Sequence, residues 1–427
     1  MNGLNPTNLA ERVILLEGWR AVILAVVAGA ASTLALAPFH FFPILFFTIP
    51  IFVWLLDGSV AVAGARGLLK FWHAFKTGWL FGFGYFVAGL WWIGSAFLVD
   101  ADEFVWLMPF AVLGLPALMA MYWGVAAALS RLAWSEGWKR LVAFAAIFTL
   151  LEFARGTLFS GFPWNLPGYA FMPIPAMMQS AALVGTYGLT FIVFFVTAAP
   201  AIFAPSDGVR PRRMRRVLAT AAGLLIAHIG YGFVVLGSAD DRNVPRAQIR
   251  LIQPNIDQKK KWEQGAAPEI FQTYLDLSRT KTSPTTATTA AFSHIIWPES
   301  AFPFILADQP DALAAIDDLL PDSTRLITGA MRRGATVSDT GQAAIYNSTL
   351  LLNGAGQIVA HRDKTHLVPF GEYLPFQDTL ESIGLRQLTK QRGGFAIGTE
   401  RQAVKEQDWP AWLPLICYEI IFPGGLR

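Results

Sequence analysis

Between residues 19 and 237 the chain is a succession of apolar runs, each close to the length that crosses a bilayer. A hydrocarbon core calls for about 20 apolar residues per helix. Runs of that kind lie at 19–38, 41–57, 75–98, 105–130, 141–157, 176–203 and 217–237, which makes seven spans. The first two are joined by a tight turn holding Pro38, Phe39 and His40, and the second is shortened by Pro43 and Pro50. Trp19, Trp54, Trp91, Trp92, Trp106 and Trp134 fall near run ends, where interfacial aromatics sit. Charged residues make up 15% of the chain against about 25% in soluble domains, and the mean hydropathy is +0.44. The depletion ends at about Arg246, beyond which charge is normal and the pattern is mixed. A membrane half precedes a soluble half.

Orientation follows from lysine and arginine in the short loops. The N-terminal side collects Arg12, Arg20, Arg66, Lys70, Lys76, Arg131, Lys139 and Arg140, then the cluster Arg210, Arg212, Arg213, Arg215 and Arg216. The opposite side collects Arg155 alone and carries Asp100, Asp102 and Glu103. The N-terminus is therefore expected in the cytoplasm, and after an odd number of spans the soluble half lies outside. Ala35-Leu36-Ala37 imitates a signal-peptidase site, but a long preceding region with Glu11 and Glu17 disfavours cleavage. The formal net charge of +3 comes mostly from the 210–216 cluster. Its reading is topological and lipid-facing, with no nucleic-acid partner.

Ionisable groups inside spans are costly. Glu152 and Arg155 stand at i, i+3 and can pair on one helix face, as a structural ion pair or as a contact to a substrate head group. The loop Phe159-Ser160-Gly161-Phe162-Pro163-Trp164-Asn165 suits an ordered interfacial segment. His228 reads as a hydrogen-bonded packing residue. No polar pattern recurs across the spans, which argues against a transporter.

In the soluble half, Ala247–Gln253, His294–Trp297, Leu326–Ala330 and Trp412–Tyr418 read as strands, and Tyr346–Leu352 with Ile358–Arg362 as a hairpin. Glu269–Ser278 and Asp311–Leu320 read as helices, and Lys281–Thr289 as a low-complexity insertion. Apolar strands separated by helices define an α/β layered domain. Glu299, Lys364 and Cys417 each follow an apolar strand or hairpin, where α/β sheets place reacting groups. Cys417 is the only cysteine, so it forms no internal disulfide; it is either a small buried hydrophobe or a reactive thiol. Together the three residues supply a base, a cation and a nucleophile for acyl transfer.

Three motifs resemble the signatures of the nitrilase superfamily: Trp297-Pro298-Glu299, Lys364 in Asp363-Lys364-Thr365-His366, and Cys417-Tyr418-Glu419. The preceding spans, the Pro369-Phe370-Gly371-Glu372-Tyr373 stretch and the Ser160–Trp164 loop are similar to those of its membrane branch, the bacterial apolipoprotein N-acyltransferases. That resemblance implies a multi-span α-helical membrane domain over 1–237, followed by an α-β-β-α sandwich over 246–427. It implies a catalytic triad of Glu299, Lys364 and Cys417, with Glu372, Tyr418 and Glu419 in support and Trp262 near a substrate entrance. The implied reaction moves an acyl chain from a phospholipid, through a Cys417 thioester, to the α-amine of a diacylglyceryl-cysteine on an apolipoprotein. It calls for no metal or organic cofactor, and it implies a monomer in the bacterial inner membrane with a periplasmic catalytic domain. Family members continue beyond the nucleophile with further strands and an eighth span, so the sequence reads as C-terminally truncated. The residues alone leave open a membrane-tethered amidase or a non-catalytic lipoprotein-binding scaffold.

Overall fold

A computed structural model of the chain describes residues 6–61, 68–98, 101–135, 137–204, 211–239, 244, 247–280, 292–337, 343–376, 379, 382, 394–406 and 409–424. Arg66, Asp100, Arg210, Arg246, the Lys281–Thr289 insertion and the terminal Gly425-Leu426-Arg427 lie outside these residues. The chain divides into two compact units, Met1–Asp240 and Asp241–Arg427.

The first unit is helical: α1 (Pro6–Ile14), α2 (Gly18–Ser32), α3 (Leu45–Ala61), α4 (Leu68–Leu90), α5 (Ala101–Phe104), α6 (Leu115–Ala133), α7 (Trp138–Thr157), α8 (Pro175–Met178), α9 (Ala181–Ala198) and α10 (Pro211–Ser238). Among the described residues, six helical stretches are long and apolar enough to cross a membrane: Gly18–Ala35, Phe42–Ser59, Leu68–Leu98, Val105–Ala133, Ala181–Phe203 and Pro211–Ser238. The run at 141–157 is helical as α7 but is not among them, because Lys139, Arg140, Glu152 and Arg155 dilute its apolar character. Three of those charges are turned inward. Arg140 donates to the Ala201 carbonyl at 3.0 Å and lies 3.4 Å from Asp57. Glu152 and Arg155 are fully buried, paired with each other, and Trp123 Nε1 of α6 donates to Glu152. Around this pair the core is aromatic, with Phe52 and Phe81 stacked at 4.0 Å and Trp123, Phe144, Phe148 and Phe194 completing the cluster. Helices α2 and α4 approach backbone to backbone, since a Cβ on Gly84 would lie 2.0 Å from the Val26 carbonyl oxygen. Arg155 also donates to the Phe162 carbonyl, and Tyr85 Oη to that of Asn165 at 2.8 Å, so the 159–165 loop is tied at two points. His228 packs as its sequence context indicated, with Nδ1 2.8 Å from Ser180 Oγ.

The second unit is built on a mixed five-stranded sheet of order β1-β2-β3-β4-β5. Its strands are β1 (Ile249–Leu251), β2 (His294–Ile296), β3 (Arg325–Val337), β4 (Ala343–Leu352) and β5 (Ile358–Asp363). β1, β2 and β3 run parallel, while β3–β4 and β4–β5 are antiparallel. Helices α11 (Gln258–Lys261), α12 (Ala267–Arg279) and α13 (Pro310–Leu319) fill the connections. One apolar face of α12, with Ile270, Phe271, Tyr274 and Leu275, packs with Ile295, Trp297, Phe302, Ile316 and Leu326 into a single core.

Two expectations are corrected. β3 is far longer than its apolar stretch 326–330, because beyond its short pairing with β2 it continues as an antiparallel ladder with β4 in which polar Arg332 and Arg333 are tolerated. Trp412–Tyr418 is not a strand: only Trp412 forms a bridge, to Val404, and residues Cys417–Ile421 coil into a 3-10 turn. Pro414 lacks the N–H that a ladder needs at that point.

Candidate active site

The sheet topology brings chemistry to one end. Parallel β1 and β2 leave the sheet at the same edge, and β2 runs directly into Trp297-Pro298-Glu299. Buried Trp297 anchors the exit by donating Nε1–H to Ser278 Oγ at 2.9 Å. The Glu299 backbone then crosses β3 at Gly329, where a Cβ would stand 2.5 Å from the Glu299 Cα. Because β4 is antiparallel to β3, Asn347 opposite Met331 lies toward that same end. β5 returns beside it, with Asp363 paired to Ser348, so Lys364 emerges next to Asn347 and donates its N–H to the Asn347 carbonyl at 2.8 Å.

The side chains form one network. Lys364 is 1% exposed; its Nζ lies 3.0 Å from Glu372 Oε1, 2.9 Å from Glu372 Oε2 and 4.0 Å from Glu299 Oε1. Asn347 Nδ2 donates to Glu299 Oε1 at 2.8 Å and to Glu372 Oε1 at 3.0 Å, bridging the two carboxylates. Glu372 Oε2 further accepts the Val368 N–H at 2.9 Å. Beneath this, Asp363 is clasped by Arg332 at 2.7 Å and Ser348 at 2.6 Å. Burial pushes the Asp363 carboxyl up, but those hydrogen bonds outweigh it and hold it below the usual carboxylate range.

Cys417 is exposed and adopts φ 54. Left-handed backbone is uncommon outside glycine and costs of order 1–3 kcal/mol. Here it turns the chain sharply between the extended Ile416 and the 3-10 turn, so that the thiol points out while its neighbours point in. Glu419 holds that bend. Its Oε2 accepts the Ile416 N–H at 2.9 Å, and its Oε1 accepts from Thr365 N–H at 2.9 Å, Thr365 Oγ1 at 3.0 Å, His366 N–H at 3.0 Å and Arg401 at 3.1 Å. Tyr418 Oη donates to the Leu367 carbonyl at 2.9 Å. The segment carrying the thiol is thus bolted to the segment carrying Lys364. Burial raises the Glu419 carboxyl, and the donors around it overcome that and lower it.

Partial desolvation pushes the Cys417 thiol above its ordinary value of 9.0, and the Glu299 carboxylate adds to the shift. Lys364 and the Tyr418 backbone N–H pull the other way. The sulfur therefore sits in the joint field of Glu299 and Lys364. Of the residues singled out from sequence, Glu299, Lys364, Glu372, Cys417, Tyr418 and Glu419 share this neighbourhood. Trp262 makes none of its contacts and caps α11 with its ring 38% exposed. Asn347, the bridge, was not singled out; it sits in a short polar stretch with Ser348 and Thr349 inside β4, and nothing local marks it off from them.

Helices long and apolar enough to cross a membrane, followed by a mixed α/β unit with thiol, ammonium and paired carboxylates at one sheet end, fit a membrane-tethered protein of the carbon–nitrogen hydrolase class. Residues 248–427 match the carbon-nitrogen hydrolase family model, and residues 28–199 match the apolipoprotein N-acyltransferase N-terminal domain. Proteins named apolipoprotein N-acyltransferase are similar over 98% of this chain: 45% identical in Brucella melitensis, covering 77% of that protein, and 46% in Rhizobium rhizogenes, covering 78%. One from Rhodopseudomonas palustris is 43% identical, with 77% of its length covered. The chain belongs to the apolipoprotein N-acyltransferase family, and is thereby a membrane-embedded acyltransferase of nitrilase-like fold.

Proposed function

We propose that Cys417 carries a fatty acyl chain from a membrane phospholipid to the α-amine of the diacylglyceryl-cysteine of an apolipoprotein. The observation that carries this reading is the Asn347 bridge between Glu299 and Glu372, with Lys364 paired to Glu372 and the Cys417 sulfur in the same field. A thiol raised above 9.0 is almost wholly protonated at neutral pH and is a poor nucleophile until a base takes its proton. Glu299 is that base: Lys364 is held closer to Glu372, which leaves Glu299 with accepting capacity.

In the first half-reaction the thiol proton passes to Glu299 as sulfur bonds to the ester carbonyl carbon. Lys364, with the Tyr418 N–H, stabilises the oxyanion. Collapse breaks the ester C–O bond; the lysophospholipid alkoxide takes the proton from Glu299 and leaves a thioester. In the second, the neutral acceptor amine attacks the thioester carbon, Glu299 takes an amine proton, and the C–S bond breaks as the amide forms. The returning thiolate recovers the proton. Two lipid substrates are thereby used in turn without being bound together. Glu419 and Tyr418 keep the nucleophile's bend in register with Lys364.

Residues 1–237 serve as a membrane domain of seven helices and 246–427 as the catalytic domain. The arginine and lysine asymmetry of the loops supports a cytoplasmic N-terminus and a periplasmic catalytic domain in the inner membrane. A phosphatase reporter fused after Gly237 checks this, and an inactive fusion that is expressed would reverse the orientation. For the reaction, the purified chain incubated with phospholipid is expected to yield a hydroxylamine-labile acyl adduct on Cys417 that is transferred to a diacylglyceryl peptide. An adduct that persists in Cys417→Ala, or release of free fatty acid with no N-acyl peptide, overturns the reading.

A further inference from the structure

Helix α11 presents three consecutive lysines with different environments. Lys259 is exposed, and Lys260 pairs on the surface with Glu269 at 2.7 Å. Lys261 is half-buried, and among the described residues its ammonium group makes no hydrogen bond and no ion pair within 4.0 Å, its backbone N–H alone donating to the Asp257 carbonyl. Withdrawing an ammonium from water without a partner is unfavourable, so lysines are seldom placed that way. Desolvation pushes Lys261 below the usual lysine range, and the charge that offsets this is Glu299.

The topology accounts for the proximity. β1 and β2 are parallel and in register, Ile249 to His294 and Leu251 to Ile296. The segment leading from β1 to α11 and the one leading from β2 to Glu299 therefore emerge side by side. Lys364 reaches the same end from β5, across the sheet. Glu299 lies in the field of two ammonium groups, of which Lys364 is bound by Glu372 and Lys261 is held by no contact. Trp262 follows directly and offers an exposed ring beside it.

We propose that Lys261 receives the phosphodiester of the acyl donor, and so selects phospholipid over neutral esters. This rests on the phospholipid-donor reading above. Phosphate oxygens are strong acceptors for an ammonium, and charge-assisted contacts of this kind exceed neutral ones. A donor phosphate there supplies the partner that Lys261 lacks, at the sheet end where Cys417 waits for the ester. The acceptor, a diacylglyceryl-cysteine, carries no phosphate at the reacting end. Lys261 therefore acts in the first half-reaction only.

The test uses the full chain in detergent micelles, comparing wild type with Lys261→Gln and Lys261→Arg. Acylation of Cys417 is followed with phosphatidylethanolamine and with the neutral ester p-nitrophenyl palmitate. With phosphatidylethanolamine below saturation, Lys261→Gln is expected to acylate about tenfold more slowly, the loss of one charge-assisted contact, and Lys261→Arg to recover most of the rate. With the neutral ester, and in transfer from preformed acyl-enzyme to a diacylglyceryl peptide, all three chains are expected to agree within about twofold. Equal slowing with both esters would assign Lys261 to Glu299 and Cys417 themselves, and no slowing would remove it from the site; either overturns the proposal. Inorganic phosphate that inhibits the neutral-ester reaction of wild type but not of Lys261→Gln would make this a free-phosphate site and overturn the head-group assignment. A wild-type chain acylated by the neutral ester but never by phospholipid refutes the donor reading itself, and the role of Lys261 with it.

Discussion

The ammonium of Lys364 lies 2.9 Å from Glu372 and 4.0 Å from Glu299. The two carboxylates are therefore not equivalent. Glu372 is the counter-ion of a lysine removed from water, whereas Glu299, about a third of whose side chain is exposed, faces outward. Removing Glu372 strands a buried charge, which typically costs about 3–5 kcal/mol. Glu372→Ala is expected to lower both the melting temperature in detergent and the acylation rate. Glu299→Ala is expected to abolish acylation while leaving the melting temperature nearly unchanged. Equal destabilisation by the two variants would contradict this division of roles.

The raised thiol gives a pH signature. A thiolate formed without a base would make acylation climb through neutral pH until past 9.0, the ordinary value that Cys417 exceeds. In the proposed mechanism proton transfer to Glu299 removes that dependence, so the wild-type rate is expected to be level across neutral pH. In Glu299→Gln, which also removes one of the charges that raise the thiol, the residual rate should instead climb by up to about tenfold per pH unit through neutral pH as the thiolate fraction grows. A wild-type profile that rises in the same way would exclude general-base assistance.

Asn347 donates to both carboxylates and is itself buried. Asn347→Leu keeps an apolar strand residue of similar size but deletes both hydrogen bonds to charged acceptors. Acylation is expected to fall by about 10- to 100-fold, on the scale of other positioning contacts to catalytic charges. An unchanged acylation rate would reduce Asn347 to a packing residue.

In the membrane unit, Glu152 and Arg155 are buried together. Glu152→Ala leaves Arg155 with the Phe162 carbonyl and the face of Phe86 at 5.0 Å, but without its counter-ion. A loss of about 3–5 kcal/mol is expected, whereas Glu152→Leu combined with Arg155→Leu should cost much less. Thermal unfolding in detergent separates the cases.

The strands at 249–251, 294–296 and 358–363 were legible because parallel and hairpin strands announce themselves as short apolar runs between turn residues. Glu299 and Lys364 were legible as polar residues following such runs. Asn347 was hidden because the two carboxylates it bridges come from two other segments, and no local spacing reports a bridge of that kind. Cys417 was misplaced at the end of a strand: Leu413–Ile416 is apolar enough, but a left-handed residue and Pro414 divert the chain before it can pair. α7 was legible as a helix, while the inward direction of its charges emerges only from packing against α6 and the 159–165 loop.

That helix also bears on biogenesis. Trp138–Thr157 falls outside the helical stretches that are long and apolar enough to cross a membrane, whereas Val105–Ala133, which precedes it in the chain, is among them. If insertion follows chain order, Trp123 enters ahead of Glu152, and its indole N–H is the donor that meets the carboxylate. In an insertion reporter, residues 138–157 are expected to enter the membrane poorly by themselves and efficiently when residues 115–133 precede them. Trp123→Phe should erase much of that help, making one indole a chaperone for the charge that follows it.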